Sequence, residues 1–489
     1  MRLTKNTIGL ILGPLSFLSI LWFVAPENLS AAGIAVLAVT TWVAIWWITE
    51  AIPVEVTALL PIVLFPLSGG LDLTATCAAY GHKFIFLFVG GFILAIAIEK
   101  WNLHKRIALT IIHFVGTNLS KIILGFMVST PFLSMWISNT ATAVMMLPIG
   151  MAIITQIEGK KSNSQFGKAL MLAIAYAASI GGMATLIGTP PNIILAGVLE
   201  QTYNVELSFS QWFMVGFPIS VVLLIICWKY LTVYAFNFKN LQLEGGKAYI
   251  NQQLKALGKT SREEKTILVV FVLTALAWIF RSAFLKEWIP AMDDTIIAIS
   301  AAVLLFILPS SKPGKPLLAW TDAVKLPWGI LLLFGGGIAI AVAFQQSGLA
   351  FWVATQLQGL EGVHLLLVVF VLITAVNFLT EITSNLATAS VLLPLLAPLA
   401  LAMDVHPYVL MVACTVAASC AFMLPVATPP NAIVFGSGKL KIADMVKTGI
   451  WMNLISIVIL TLAVYFLLPV LWDIEIDSFP GVFIQSEVD

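Results

Sequence analysis

Long apolar runs separated by short polar segments recur along the whole chain. Two stretches, 122–156 and 364–402, carry a polar break in the middle, and we interpret each as a re-entrant hairpin that enters and leaves the membrane on one side. The other runs are near the ~20 residues that a helix needs to cross a bilayer. They predict eleven membrane spans, at 8–24, 30–48, 54–68, 84–99, 170–198, 212–234, 266–284, 293–309, 327–345, 408–436 and 447–472.

The composition supports an all-α integral membrane protein. Of 489 residues, 60% are hydrophobic and only 10% are charged, with a mean hydropathy of +1.01. A soluble domain carries roughly 25% charged residues. The formal net charge of +1 says nothing about partners. The apolar composition makes the lipid bilayer the expected surroundings, and a nucleic-acid partner is not expected. The four cysteines do not follow a metal-ligand spacing.

Lysine and arginine predict the orientation of the chain. With the N-terminus in the cytoplasm, the basic loops collect on the cytoplasmic side. Only Lys83, Arg281 and Lys286 then fall outside, together with the acidic C-terminal tail. A full crossing by either polar-break stretch would weaken this asymmetry, so the charges also support the hairpins. Short loops favour a bacterial inner (plasma) membrane.

Three landmarks occur twice in the same order. "LFVGGFILAIAI" at 87–98 matches "LFGGGIAIAVAF" at 333–344, and Ser138 and Ser384 are likewise 246 residues apart. "GTPPN" at 188–192 answers "ATPPN" at 427–431. Each repeat holds five spans and one hairpin, and an odd number of spans inverts the second copy. Inverted-topology repeats are typical of alternating-access transporters, with the site between the copies.

The repeated motifs offer both anion- and cation-binding groups. "SNTATA" at 138–143 and "SNLATA" at 384–389 place hydroxyls and amides at the hairpin tips. A helix that begins at a tip favours an anion, and one that ends there favours a cation. The paired prolines after Thr189 and Thr428 break their helices and free backbone carbonyls. Alone, each motif is more typical of helix packing or a kink; the duplication indicates a binding site.

Charged side chains are scarce in these segments. Lys and Arg are absent from 122–156, 170–198, 364–402 and 408–436, and Glu381 is the one acidic residue. Glu381 is either functional or a water-facing residue beside the tip. A bound carboxylate would therefore need co-bound cations. The glycine-rich "VGGF" and "FGGG" favour close helix packing, and segments 100–117 and 346–362 are either interfacial helices or helix extensions.

The chain resembles the divalent anion:sodium symporter family. The resemblance rests on "SNTAT", "TEITSNLAT", "IGTPPN", "VATPPN" and "WWITEAIPVEVTALLP" at 46–61. It implies a homodimer and an elevator mechanism, in which a transport domain slides along a scaffold. We assign the scaffold to 1–118 and 266–362, the transport domain to 119–236 and 363–472, a cytoplasmic linker to 237–265 and an extracytoplasmic tail to 473–489.

The resemblance also implies the ligand contacts. One Na⁺ site would use Ser134, Ser138, Asn139 and the backbone at Gly188, and the second would use Thr380, Ser384, Asn385 and the backbone at Ala427. The substrate carboxylates would meet Ser138, Asn139, Thr140, Thr189, Ser384, Asn385, Thr428 and Pro429. The second tip departs from the full motif, because Leu386 stands where the first tip has Thr140. This departure bears on substrate choice.

The expected function is sodium-coupled import of a C4 dicarboxylate such as succinate, malate or fumarate. Citrate or sulfate symport and sodium-independent dicarboxylate exchange remain alternatives, although no basic residue stands near either motif, as some exchangers have. An anion channel would need a continuous polar pathway. An enzyme is not expected, because none of the five histidines has a catalytic or metal partner at meaningful spacing.

Overall fold

The computed structural model describes residues 5–24, 26–116, 118–158, 165–237, 246–357 and 362–484. Part of the basic segments that predict the orientation, at 1–4 and 159–164, lies outside these ranges, as do the start of the linker at 238–245 and the end of the tail at 485–489. Throughout the described ranges the regular structure is helical, apart from one isolated bridge between Pro309 and Pro316. The predicted all-α class is confirmed.

The described residues of the first half of the chain form twelve helices and then a π-helical turn at Tyr230–Ala235. Their bounds are α1 Lys5–Phe23, α2 Ala31–Thr49, α3 Val54–Thr57, α4 Leu60–Ser68, α5 Leu73–Ala79, α6 Lys83–Lys100, α7 Leu103–Val115, α8 Leu119–Ser134, α9 Asn139–Glu158, α10 Gln165–Gly182, α11 Pro190–Tyr203 and α12 Phe209–Lys229.

The second half begins with a helix in the predicted linker, and its described residues contain two further π-helical turns, at Arg281–Leu285 and Ala463–Leu467. The bounds are α13 Gly246–Ala256, α14 Arg262–Phe280, α15 Lys286–Trp288, α16 Asp294–Ile307, α17 Trp320–Ala323, α18 Trp328–Gln346, α19 Leu349–Gln356, α20 Leu365–Leu379, α21 Asn385–Ala402, α22 Pro407–Ala418, α23 Pro429–Gly436, α24 Ile442–Leu462, α25 Leu468–Trp472 and α26 Gly481–Ile484.

Eight helical segments of the described chain are long and apolar enough to cross a membrane. They include α1, α2, α18 and the long segment that ends in α6. One of them is α21, which the sequence assigns to a hairpin and not to a span. Length and composition therefore do not test the predicted number of eleven spans. The predicted span 54–68 is split into α3 and α4, because Pro61 in the first turn of α4 lacks the N–H that would bond the carbonyl oxygen of Thr57, the last residue of α3.

The order of helices from α6 to α12 recurs from α18 to α24. In each series a glycine-rich helix is followed by a short helix, two helices joined at a tip, two helices joined by a break, and a helix that ends in a π-turn. The short helices α7 and α19 are separate elements and not extensions, because Asn102 and Gly348 before them adopt left-handed backbone angles. The opposite membrane orientation of the two copies stays a prediction.

The glycine-rich helices pack closely, as predicted. A Cβ atom at Gly90 would lie 2.6 Å from the backbone of Ala298 in α16, and one at Gly336 would lie 2.9 Å from the carbonyl oxygen of Ala58. Real Cβ atoms do not approach that closely, so these contacts require glycine. The α6 and α18 helices thus bind α16 and the α3–α4 region tightly. On another side, α18 packs against α11 and α21, which carry the repeated motifs.

Candidate functional site

The two predicted tips have the same backbone design. The first tip separates the end of α8 at Ser134 from the start of α9 at Asn139, and the second separates α20 from α21, which begins at Asn385. At the first tip the Ser138 hydroxyl accepts a hydrogen bond from the Ala141 N–H at 3.2 Å. Ser384 caps α21 in an extended conformation. Each tip therefore exposes the positive end of the helix that follows it.

The two proline motifs begin helices instead of kinking continuous ones. The α11 helix starts at Pro190 and α23 at Pro429, and the preceding threonines share an extended φ of −142°. Proline suits the first helical position, because its missing N–H would have no partner there. The loops 183–189 and 419–428 consequently cross the middle of the predicted spans as non-helical backbone, which membranes tolerate only inside protein or along a cavity.

Both tips and both breaks line one cavity of about 500 Å³. It brings together all eight residues predicted to contact substrate: Ser138, Asn139, Thr140, Thr189, Ser384, Asn385, Thr428 and Pro429. Gly188, Ala427 and the departing residue Leu386 line it as well. Residues at equivalent positions of the two repeats, such as Ser138 and Ser384, therefore line the same cavity. Their roles toward a ligand remain predictions.

Four helices begin at this cavity. The first residues of α9, α11, α21 and α23 are Asn139, Pro190, Asn385 and Pro429, and each of the four lines it. A helix N-terminus carries roughly half a positive charge. These four helix ends therefore contribute positive potential that suits an anion, although none of the described lining residues is Lys, Arg or His.

In each copy, a hydroxyl at the C-terminal end of one helix meets two other oxygens. In the first copy the Ser134 hydroxyl, at the end of α8, lies 2.5 Å from Asn139 Oδ1 and 2.7 Å from the carbonyl oxygen of Ala178 in α10. In the second copy the Thr380 hydroxyl lies 2.6 Å from Asn385 Oδ1 and 3.0 Å from the carbonyl oxygen of Ala418, the last residue of α22. We call these trios the first and second oxygen clusters.

The oxygen clusters fit a cation. In each cluster a single hydroxyl group lies close to two oxygens that only accept hydrogen bonds. Its one proton can serve only one of these two contacts, so the other contact brings two oxygens together with no proton between them. The Ser134 and Thr380 side chains are fully buried. Carbonyl, hydroxyl and amide oxygens are the ligands that hard cations prefer, and the C-terminal ends of helices favour positive charge. The predicted sodium ligands Ser134, Asn139, Thr380 and Asn385 meet here, whereas Ser138, Gly188, Ser384 and Ala427 line the cavity beside them.

Sequence reasoning missed the carbonyls of Ala178 and Ala418. A signal for them exists, since "AAS" occurs at 177–179 and again at 417–419, between the hairpin and proline motifs of each repeat. It also missed Glu50 and Glu55, which line the cavity from the loop after α2 and from α3. Both lie in the stretch 46–61 that supports the family resemblance, but its distance along the chain from both motifs does not predict that it lines the same cavity.

Glu381 does not face water, which was one of its two predicted roles. Its side chain is 3% exposed and its carboxylate accepts hydrogen bonds from the backbone of residues 422–424. It lies in the second tip, one residue after Thr380 of the second oxygen cluster.

Fold and site together define a multi-pass membrane transporter with a duplicated core. A family model for the sodium:sulfate symporter transmembrane region matches residues 4–472. The chain therefore belongs to the sodium:sulfate symporter family, which confirms the resemblance to the divalent anion:sodium symporters. A family of symporters also confirms that the protein is a transporter and not an enzyme.

Similar proteins occur among bacterial carriers and solved structures. The chain is 49% identical over 480 residues to a sodium-dependent dicarboxylate transporter of Staphylococcus saprophyticus, covering 96% of this chain and 92% of the relative. It is 51% identical over 482 residues to the same transporter of Staphylococcus aureus strain USA300, covering 96% and 93%. The solved structure of MtrF from Neisseria gonorrhoeae, described with a class of antimetabolite efflux pumps, aligns with a TM-score of 0.57 over 95% of this chain and 96% of that chain, at 14% identity. That likeness shows the fold alone.

Proposed function

We propose that this protein is a sodium-coupled symporter that imports C4 dicarboxylates such as succinate, malate and fumarate. One observation carries the proposal: four helix N-termini meet at a cavity whose described lining has no cationic side chain, while hydroxyls at the C-terminal ends of α8 and α20 form two oxygen clusters at its edge. The first arrangement suits an anion and the second suits a cation. The relatives at 49% and 51% identity, which are sodium-dependent dicarboxylate transporters, support the same assignment.

The substrate is held by neutral donors from both copies. Each repeat presents hydroxyl and amide groups from its tip, and a linear dicarboxylate has one carboxylate for each set. Sulfate has one compact charged group and would use one set at a time. Citrate would bring a third carboxylate toward Leu386 and the acidic residues Glu50 and Glu55, which disfavours it.

Two sodium ions supply the positive charge that the side chains lack. Glu50 and Glu55 add negative charge to the cavity, so a dianion needs more than helix dipoles. At 4 Å and an effective dielectric constant near 20, each cation attracts a carboxylate by about 4 kcal/mol. The asparagines link sodium binding to substrate binding. Oδ1 of Asn139 or Asn385 belongs to an oxygen cluster, while Nδ2 remains to donate to a substrate carboxylate.

The remaining features follow the family resemblance and form part of the proposal. The protein is a homodimer in a bacterial plasma membrane, with its N-terminus in the cytoplasm and its C-terminus outside. The transport domain, residues 119–236 and 363–472, carries the cavity past the scaffold as an elevator. Sodium-independent exchange is the second candidate, and it is disfavoured because no Lys, Arg or His of the described chain lines the cavity.

Uptake into proteoliposomes tests the proposal. Purified protein is reconstituted with sodium outside, and accumulation of labelled succinate is followed with and without replacement of sodium by choline. We expect concentrative uptake that requires sodium, saturates, and is competed by malate and fumarate more strongly than by citrate or sulfate. Equal uptake in choline would contradict sodium coupling. Uptake that only equilibrates with the gradient would indicate a channel.

A further inference from the structure

The buried carboxylate of Glu381 accepts four hydrogen bonds. Its Oε1 accepts from the backbone N–H of Phe422 at 2.7 Å, from that of Met423 at 2.9 Å and from the Asn453 side-chain amide at 2.8 Å. Its Oε2 accepts from the N–H of Leu424 at 3.0 Å. Within the described ranges Glu381 has no ion pair with Lys, Arg or His. Its charge is therefore stabilised by oriented N–H groups alone.

Those N–H groups belong to the loop that forms one wall of the site. Residues 419–428 connect Ala418, whose carbonyl is in the second oxygen cluster, with Ala427 and Thr428 at the cavity. The carbonyl groups of this loop also have donors, since Asn377 donates to Cys420 at 2.8 Å and the Tyr176 hydroxyl donates to Phe422 at 2.9 Å. Glu381 supplies the acceptors for N–H groups that a buried loop must satisfy.

The first copy lacks this carboxylate. The residue 246 positions before Glu381 is Met135, and there the Thr185 hydroxyl donates to the Met135 carbonyl oxygen at 2.5 Å. The corresponding loop, residues 183–189, is shorter than 419–428. In the first copy a hydrogen bond between neutral groups joins the tip to the short loop. In the second copy the longer loop presents three successive N–H groups, and one carboxylate accepts hydrogen bonds from all three.

We propose that Glu381 is a positioning residue that holds residues 422–424 against the second tip, so that the Ala418 carbonyl stays with Thr380 and Asn385 in the geometry that binds the second sodium ion. Glu381 acts through the backbone and does not itself coordinate the ion. The inference rests on the proposed sodium site, but the hydrogen bonds that define it exist without a bound cation.

Two measurements on the purified protein separate this role from that of a direct ligand. Hydrogen exchange of peptides covering 419–428 is measured in sodium-free choline buffer and again in sodium. The sodium concentration for half-maximal succinate uptake is measured in proteoliposomes. The variants are Glu381→Gln and Glu381→Asp, and the exposed carboxylate Glu287→Gln is the matched control.

In Glu381→Gln the side-chain amide N–H₂ replaces an oxygen and meets a backbone N–H, so the loop loses acceptors. We expect faster exchange in 419–428 even without sodium, and about a tenfold rise in half-saturating sodium, since bonds to a charged acceptor are strong. Glu381→Asp retains the charge with a shorter reach and should lie between Gln and wild type. Glu287→Gln should match wild type in both measurements.

Wild-type exchange in Glu381→Gln would overturn the inference, and so would an exchange change seen only in the presence of sodium, because a direct ligand would behave that way. If Glu381→Gln fails to fold, Asn453→Leu removes one donor and keeps the carboxylate; we expect exchange and half-saturating sodium to change in the same direction by a smaller factor, and no change would contradict us. Sodium-independent wild-type uptake would refute the proposed function, while the exchange comparison would still test Glu381.

Discussion

Asn192 and Asn431 hold the two helix breaks in the same way. The Asn192 side-chain amide donates to the carbonyl oxygen of Thr185 at 2.7 Å, and that of Asn431 donates to Leu424 at 3.0 Å. Each acceptor lies seven residues before its asparagine, and both asparagines are fully buried. In each copy, the third residue of the helix that follows the break therefore donates a hydrogen bond back to the break, and this bond fixes the loop beside the cavity.

Replacing either asparagine with leucine should destabilise its break. Asn192→Leu and Asn431→Leu leave buried carbonyls without donors, which costs about 1–3 kcal/mol for each variant. We expect lower melting temperatures in detergent and reduced uptake per folded protein. The exposed amide variant Gln252→Leu, on α13, is the control. A wild-type melting temperature in both asparagine variants would show that these bonds do not hold the loops.

Removing the hydroxyl of an oxygen cluster should weaken sodium binding. Thr380→Val keeps the shape of the side chain and deletes one oxygen of the second cluster, so the half-saturating sodium concentration should rise about tenfold, with expression unchanged. Thr374→Val on the same helix is the control, because its exposed hydroxyl only bonds Phe370 one turn away. Sodium titration of succinate uptake measures both. An equal sodium requirement in Thr380→Val and Thr374→Val would remove Thr380 from the site.

The tips differ at Thr140 and Leu386, and exchanging them should alter substrate affinity in opposite directions. Leu386→Thr adds a hydroxyl at the cavity, and we expect its KM for succinate to fall about tenfold or more because hydrogen bonds to charged groups contribute about 1.5–3 kcal/mol. Thr140→Leu removes the matching hydroxyl and should raise KM. Half-saturating sodium should change little in either variant. Unchanged KM in both would place these side chains outside the substrate contacts.

An ion pair joins the predicted scaffold to the predicted transport domain. Lys83 Nζ, at the start of α6, lies 2.7 Å from Glu200 Oε1 near the end of α11. The variant is Lys83→Cys/Glu200→Cys with the exposed Cys77 replaced by serine. A short methanethiosulfonate cross-linker, which joins the two thiols through disulfides, should stop uptake, and a reductant that breaks those disulfides should restore it. The single-cysteine variants are the controls. Full uptake by cross-linked protein would contradict an elevator movement of α11 past α6.

The sequence predicts the site motifs because they are repeated and because polar groups are costly within a membrane. Ser138 and Ser384 stand out inside apolar runs, and the proline pairs mark the breaks. The family resemblance then supplied the remaining contacts, and all eight predicted substrate contacts line one cavity. The helices before and after each motif were also predictable from their apolar lengths.

Tertiary proximity could not be predicted. The Ala178 and Ala418 carbonyls are backbone groups whose role depends on where α8 and α20 end, and alanine itself gives no chemical signal. Glu55 reaches the cavity only because α3 packs against α18. The partners of Glu381 lie 41 to 43 residues away along the backbone and 72 away at Asn453, so its burial depends on the fold.

The central claim is that an anion-binding cavity with no basic side chain among its described residues needs mobile cations. Succinate binding to the purified protein at a series of sodium concentrations tests this claim most directly. Two oxygen clusters predict that the dissociation constant for succinate falls with about the square of the sodium concentration, and that Ser134→Ala and Thr380→Val each weaken this dependence. A dissociation constant that stays the same when sodium is replaced by choline would contradict the account.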